Sequence, residues 1–103
     1  MNNSKLKEQD ILEFLSNIQE GKIKISAIID PKKVYSGDVV YIASNGWEIT
    51  IFNDANTWDY IDNIKINNDL RVNFEELDNM ILLRNYVPPI EVVNEIYKIP
   101  EKS

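Results

Sequence analysis

Asn45-Gly46 sits between two runs of alternating apolar residues, and no other dipeptide in the chain restricts the fold as strongly. A two-residue type I′ turn needs positive φ at both central positions, which Asn and Gly tolerate best. Counting outward from such a turn predicts a hairpin in which Ser44 faces Trp47, Ile42 faces Ile49 and Val40 faces Ile51. Residues directly opposite each other share a face of the sheet. Val40, Ile42, Ser44, Trp47, Ile49 and Ile51 are therefore expected against the core. Val39, Tyr41, Ala43, Glu48, Thr50 and Phe52 are expected on the other face, either under a helix or at the surface.

Beyond Phe52, the turn formers Asn53, Asp54 and Asn56 predict a reversal, because their short polar side chains bond nearby backbone. Trp58, Tyr60, Ile64 and Ile66 then recur at even spacing and predict a third strand, ended by Asn67-Asn68-Asp69. Asp62 falls on the same parity. An unpaired buried carboxylate is too costly, so Asp62 must lie at the sheet margin, in a bulge, or among hydrogen-bond partners.

Upstream, Ser4 caps a predicted helix over residues 5–20, whose apolar stripe is Ile11, Phe14, Leu15 and Ile18, and Gly21 ends it. KIKISAII (22–29) predicts a strand, broken at Asp30-Pro31. Ser36-Gly37-Asp38 predicts a second turn. Downstream, residues 74–83 predict a helix opening with Glu75 and Glu76 at its positive end. Pro88-Pro89 starts a last helix at about 89–98, with Ile90, Val93, Ile96 and Tyr97 on one side. The expected fold is a single α+β domain over residues 1–103. It is a small antiparallel sheet with an N-terminal helix and one or two C-terminal helices packed on it.

The formal net charge is −6, and its distribution matters more than its size. Residues 38–78 hold nine acids (Asp38, Glu48, Asp54, Asp59, Asp62, Asp69, Glu75, Glu76, Asp78) against Lys65 and Arg71. The flanking segments are close to neutral. Such a field opposes nucleic-acid binding, which needs basic phosphate contacts. It favours a basic partner and speeds encounter with one. Solubility alone is the plainer use of surface acids. The start of the chain has no apolar core of signal-peptide length and no stretch reaches membrane-spanning length, so a cytoplasmic location is expected.

The chain has no His and no Cys. This removes Ser-His-Asp and Cys-His nucleophilic sites, His/Cys zinc sites and disulfides. Asp54, Asp59 and Asp62 could hold Mg²⁺ or act as an acid–base pair, but the calcium-loop template fails: its sixth position would be Asp59 rather than Gly and its twelfth Lys65 rather than Glu. Structural roles in turns and caps suit Asp54 better, so neither a metal nor a cofactor is expected. Trp58 and Tyr60 interleave with Asp59 and Asp62, and interfaces are enriched in Trp and Tyr. Beside carboxylates they suit an Arg-rich target. Trp47 reads as core; Trp58 reads equally as core or as interface.

Over NGWEITIFNDANTWDYID (45–62) the chain resembles a family of short, uncharacterised bacterial proteins that share a Gly-Trp hairpin, a Phe-Asn-Asp turn and an Asp-Tyr pair. Gly46, Trp47, Phe52, Asn53, Asp54, Asp59 and Tyr60 carry the resemblance, which implies no activity. By type (size, acidity, no catalytic set) the chain also resembles immunity proteins of bacterial toxin systems, including contact-dependent growth inhibition. The expected function is therefore that of a non-enzymatic inhibitor. It binds a cognate basic toxin domain, such as a nuclease, through Asp54, Trp58, Asp59, Tyr60 and Asp62, with Asp38 at the rim. The alternatives are a small-ligand binder, such as a phage nucleotide sponge, and a metal-dependent hydrolase. The acidic bias counts against the former, because anionic ligands need basic residues or helix N-termini.

Overall fold

The computed structural model describes residues 7–30, 33–55, 57–67 and 70–96. It is an α+β fold. Helix α1 (Glu8–Gln19) is followed by β1 (Ile25–Ala27), β2 (Ser36–Ala43), β3 (Glu48–Asp54), β4 (Thr57–Asn67) and β5 (Leu70–Val72). Three short helices follow, α2 (Phe74–Asp78), α3 (Ile81–Arg84) and α4 (Ile90–Ile96). The five strands form one antiparallel sheet in chain order.

Helix α1 forms where the apolar spacing places it. Ile11, Phe14, Leu15 and Ile18 are all buried, each side chain worth about 1.5–3 kcal/mol on transfer from water. The expected cap at Ser4 lies outside the described residues. The helix opens instead at Lys7, whose backbone N–H donates to the Asp10 carboxylate at 3.0 Å. Asp10 thereby satisfies one of the donors a helix N-terminus leaves open.

The central hairpin departs from the expected register by one residue. Gly46 N–H donates to the Ala43 carbonyl at 2.9 Å and Ala43 N–H donates to the Trp47 carbonyl at 2.8 Å. Three residues, Ser44 to Gly46, thus form the loop, with Gly46 at φ +96°. The Asn45 side chain accepts from Trp47 N–H at 3.1 Å, a local bond that favours the longer turn. Tyr41 consequently faces Ile49, and Val39 faces Ile51. Because side chains alternate strictly, this slip turns the whole of β2 over. Val39, Tyr41 and Ala43 are buried with Ile49 and Ile51, while Ile42 is 40% exposed. The expected core face is therefore correct for β3 and inverted for β2. Trp47 is half-buried and stacks on Phe14, ring centroids 4.6 Å apart.

Other expectations need revision. Ser36-Gly37-Asp38 is not a turn but the start of β2, paired with Asp54, Asn53 and Phe52. Asn53 and Asp54 belong to β3, and Asp54 pairs with Thr57, so only Ala55 and Asn56 connect the two strands. Asn56 lies outside the described residues. The strand at 22–29 shortens to Ile25–Ala27. The strand β5 carries no alternating signal long enough to announce it, being three residues long. The single helix expected over 74–83 is broken at Asn79-Met80 into α2 and α3. In α4 the buried residues are Val92 and Ile96, whereas Ile90 is 64% exposed. Tyr97 lies outside the described residues.

Strand β4 does not keep an even period. Thr50 pairs with Asn63 but Ile51 with Ile61; Phe52 pairs with Tyr60 but Asn53 with Trp58. Asp62 and Asp59 are the extra residues of two bulges. The side chains of β4 opposite the buried row of β3 are consequently Trp58, Ile61 and Ile64, spaced by three. Ile61, Ile64 and Val72 join the buried residues of α1, β1–β3 and the C-terminal helices in one core.

Two carboxylates tie the C-terminal helices to the rest. Glu8 accepts from Leu82 N–H at 2.7 Å and Leu83 N–H at 3.2 Å, capping α3 from the first turn of α1. Glu95 accepts from Ile25 N–H at 3.4 Å, where α4 lies beside β1. Among the described residues no helix is long and apolar enough to cross a membrane.

The two connections of β3 carry positive φ, at Gly46 (+96°) and Ala55 (+54°). A Cβ in this region costs about 1–2 kcal/mol. Gly46→Ala should lower stability by about that amount, and Ala55→Gly should raise it by up to about 1 kcal/mol. Thermal unfolding checks both, at about 4–8 °C per kcal/mol.

Candidate functional site

With the helices packed on one face, the other face of the sheet carries Asp38, Val40 and Ile42 from β2 and Glu48, Thr50, Phe52 and Asp54 from β3. Tyr60, Asn63 and Lys65 come from β4 and Arg71 from β5. Asp38, Phe52 and Tyr60 stand in one row across three strands. The Phe52 and Tyr60 rings stack at 5.1 Å, and Tyr60 meets Phe74, at the start of α2, at 5.0 Å and 54°. Glu75 and Glu76 follow Phe74 in the first turn, and Glu76 accepts from Asn73 N–H at 3.1 Å.

The expected acids gather around this row. Asp62 is half-buried and accepts from the Asn63 amide at 3.0 Å; the Asn63 oxygen in turn accepts from Arg71 at 3.1 Å. The bulge thus settles Asp62 at the margin with a polar partner, as its parity required. Asp59 is exposed on the neighbouring bulge. Asp54 ends the row of β3, exposed, and its carbonyl accepts from the Thr57 hydroxyl at 2.9 Å. Among the described residues none of Asp38, Asp54, Asp59 and Asp62 forms an ion pair.

The electrostatics register the crowding. Shielding by the surrounding strands, then the neighbouring Asp62 carboxylate, raises the Asp38 pKa above its ordinary 3.8. Shielding of the Tyr60 hydroxyl, then the charges of Asp62, Asp38 and Asp59, holds its pKa above 10.0. Asp38, Asp59, Tyr60 and Asp62 therefore form one group.

Trp58 does not join them on that face. It stands opposite Asn53 on the helix side, half-buried against the core and 5.9 Å from Tyr86. Asn53 is itself fully buried, opposite Gly37 and Trp58. Because Trp58 and Tyr60 point to opposite faces, the margin of β4 between them opens into a small cleft of about 50 Å³. Phe74, Asp78, Arg84 and Tyr86 complete its rim with Asp59. None of these four signals itself locally: each lies on a short helix or connection and reaches β4 only through the packing of α2 and α3. Among the described residues no three His, Cys, Asp or Glu side chains converge as ligands for one metal ion.

A family model matches residues 5–83. The chain belongs to DUF7693, a domain of unknown function. The DUF7693 match spans the sheet, the acidic group, Trp58, Phe74 and Asp78, and stops before Arg84, Tyr86 and α4. No curated protein matches the chain. No solved structure matches it.

Two pH dependences follow from this DUF7693 domain. Asp38 has a raised folded pKa, so ionising it penalises the folded state; the penalty is present above that pKa and relieved as pH falls through it. Asp38→Asn should raise the melting temperature at pH 7, and the gain should vanish below about pH 3, under the unfolded pKa as well. Burial pushes Tyr86 up to about 12. The unfolded chain ionises Tyr86 first, so stability should fall as pH rises from 10 towards 12, and Tyr86→Phe should flatten that slope in denaturant titrations.

Proposed function

We propose that this chain is an immunity-type inhibitor, a cytoplasmic, non-enzymatic protein that binds a basic toxin domain and blocks its working surface. The observation that supports it is the gathering of Asp38, Asp59 and Asp62 around Tyr60 on a sheet face that the helices leave open. A toxin that handles nucleic acid presents cations to phosphate. A face of unpaired carboxylates competes for those cations, and its field accelerates the encounter. Phe52, Tyr60 and Phe74 supply rigid contact area with a polar handle at Tyr60. The same acids suit phosphate-bearing small ligands poorly.

Trp58 takes a different place in the proposal from that of the acids. Its packing against the core means that Trp58→Ala costs stability as well as contact. The exposed acids make the cleaner test. The tagged chain, captured from its native cells at low salt, should retain a stoichiometric basic protein. Asp38→Lys and Asp59→Lys should fold normally, and each should slow association with that protein by about tenfold. Raising salt should slow the parent in the same way. Retention of the partner with unchanged rates by both variants would remove the acidic face from the interface.

A further inference from the structure

Two aromatic pairs flank the cleft at the margin of β4. Trp58 and Tyr86 stand 5.9 Å apart on one side, and Tyr60 and Phe74 stand 5.0 Å apart on the other. The bulge residue Asp59 separates Trp58 from Tyr60 in the chain, and its exposed carboxylate lies on the cleft rim. Asp78 adds a second exposed carboxylate from α2, against the single cation Arg84 at the end of α3. Among the described residues neither carboxylate is in an ion pair. The rim is thus net negative, with Asp38 and Asp62 close by on the far side of Tyr60.

We infer that this cleft is a receptor for an arginine side chain of the partner protein. Flat rings and free carboxylates around one opening are what a guanidinium requires. Its planar, weakly hydrated face stacks on aromatic rings, while its fork of N–H donors bonds carboxylate oxygens two at a time. A lysine ammonium is a compact, strongly hydrated point charge and gains less from the rings. A phosphate or carboxylate would meet Asp59 and Asp78 as like charges. A neutral apolar group would cover those carboxylates without giving them a partner. The bulge is the device that makes the opening. In an unbulged strand Trp58 and Tyr60, two residues apart, would share a face; the extra residue sends them to opposite faces and leaves Asp59 unpaired between them at the strand margin.

The inference deepens the inhibitor assignment and rests on it for the identity of the protein that supplies the arginine. The cleft itself is tested separately, by calorimetric titration of the full chain with oligoarginine and oligolysine peptides of equal length. The arginine peptide should bind about tenfold more tightly, about 1.4 kcal/mol. Phe74→Leu keeps the apolar bulk and removes the ring. It should erase that preference by weakening the arginine peptide to the level of the lysine peptide, whose own affinity stays unchanged. Asp59→Asn should weaken the arginine peptide more than the lysine peptide. Equal binding of the two peptides by the parent, or an arginine preference that survives Phe74→Leu, would overturn the inference and leave a face that attracts by charge alone. A clear arginine preference with no basic protein captured from cells would count against the inhibitor assignment while leaving the cleft's chemistry standing.

Discussion

The pairing of Ala43 with Trp47 across a three-residue loop governs this structure. One backbone bond of 2.8 Å decides that Tyr41 lies opposite Ile49. It therefore decides that Val39, Tyr41 and Ala43 go under the helices and that Asp38, Val40 and Ile42 go to water. The acidic row exists because of that choice: in the other register Asp38 would have been carried to the core side with Val40 and Ile42, where its charge would have no water. Burial of the residues in that core thus enforces the turn as much as Gly46 permits it.

The two bulges of β4 do the same for the other half of the site. Each inserts an acid, Asp59 or Asp62, where the strand would otherwise continue its ladder with β3. Bulges and charges on a margin also protect it from pairing with another chain. The short β5 pairs only with Ile64 to Asn67, so the acid-bearing half of β4 has no strand beyond it. Edge protection and an acidic recognition surface are therefore served by the same residues, and the second use costs the fold little.

Long-range carboxylate contacts hold the helices that shape the cleft. Glu8 caps α3 from the opposite end of the chain, and Glu95 reaches the free N–H of β1. A four-residue helix such as α3 has too few internal bonds to persist alone. Its position, and with it that of Arg84 and Tyr86, depends on α1 packing correctly on the sheet. The neutral flanks of the sequence thus contribute Glu8 and Glu95 to structure, while Asp38, Asp54 and Asp59 of the acidic middle stay at the surface and, among the described residues there, only Glu76 and Asp62 take local hydrogen-bond partners.

Local chemistry determined a good deal on its own. The stripe Ile11, Phe14, Leu15 and Ile18 could bury only one way along a helix, alternation marked β2 and β3 as strands, and the parity of Asp62 demanded the sheet margin, a bulge or a polar partner. The concentration of acids in residues 38–78 is likewise a property of sequence alone. Tertiary structure decided the rest. Whether Asn45-Gly46 closes a two- or three-residue loop is a small local difference, and it is settled by which face of β2 the helices can bury. The even spacing of Trp58, Tyr60 and Ile64 concealed two bulges, because a bulge changes the pairing count with β3 and leaves composition untouched. Phe74, Asp78, Arg84 and Tyr86 carry no local sign of a shared cleft, since only the docking of α2 and α3 against β4 brings them beside Asp59 and Tyr60. Period and charge are written along one strand at a time; register and encounter arise only between strands and helices, where burial chooses among arrangements that each segment alone would allow.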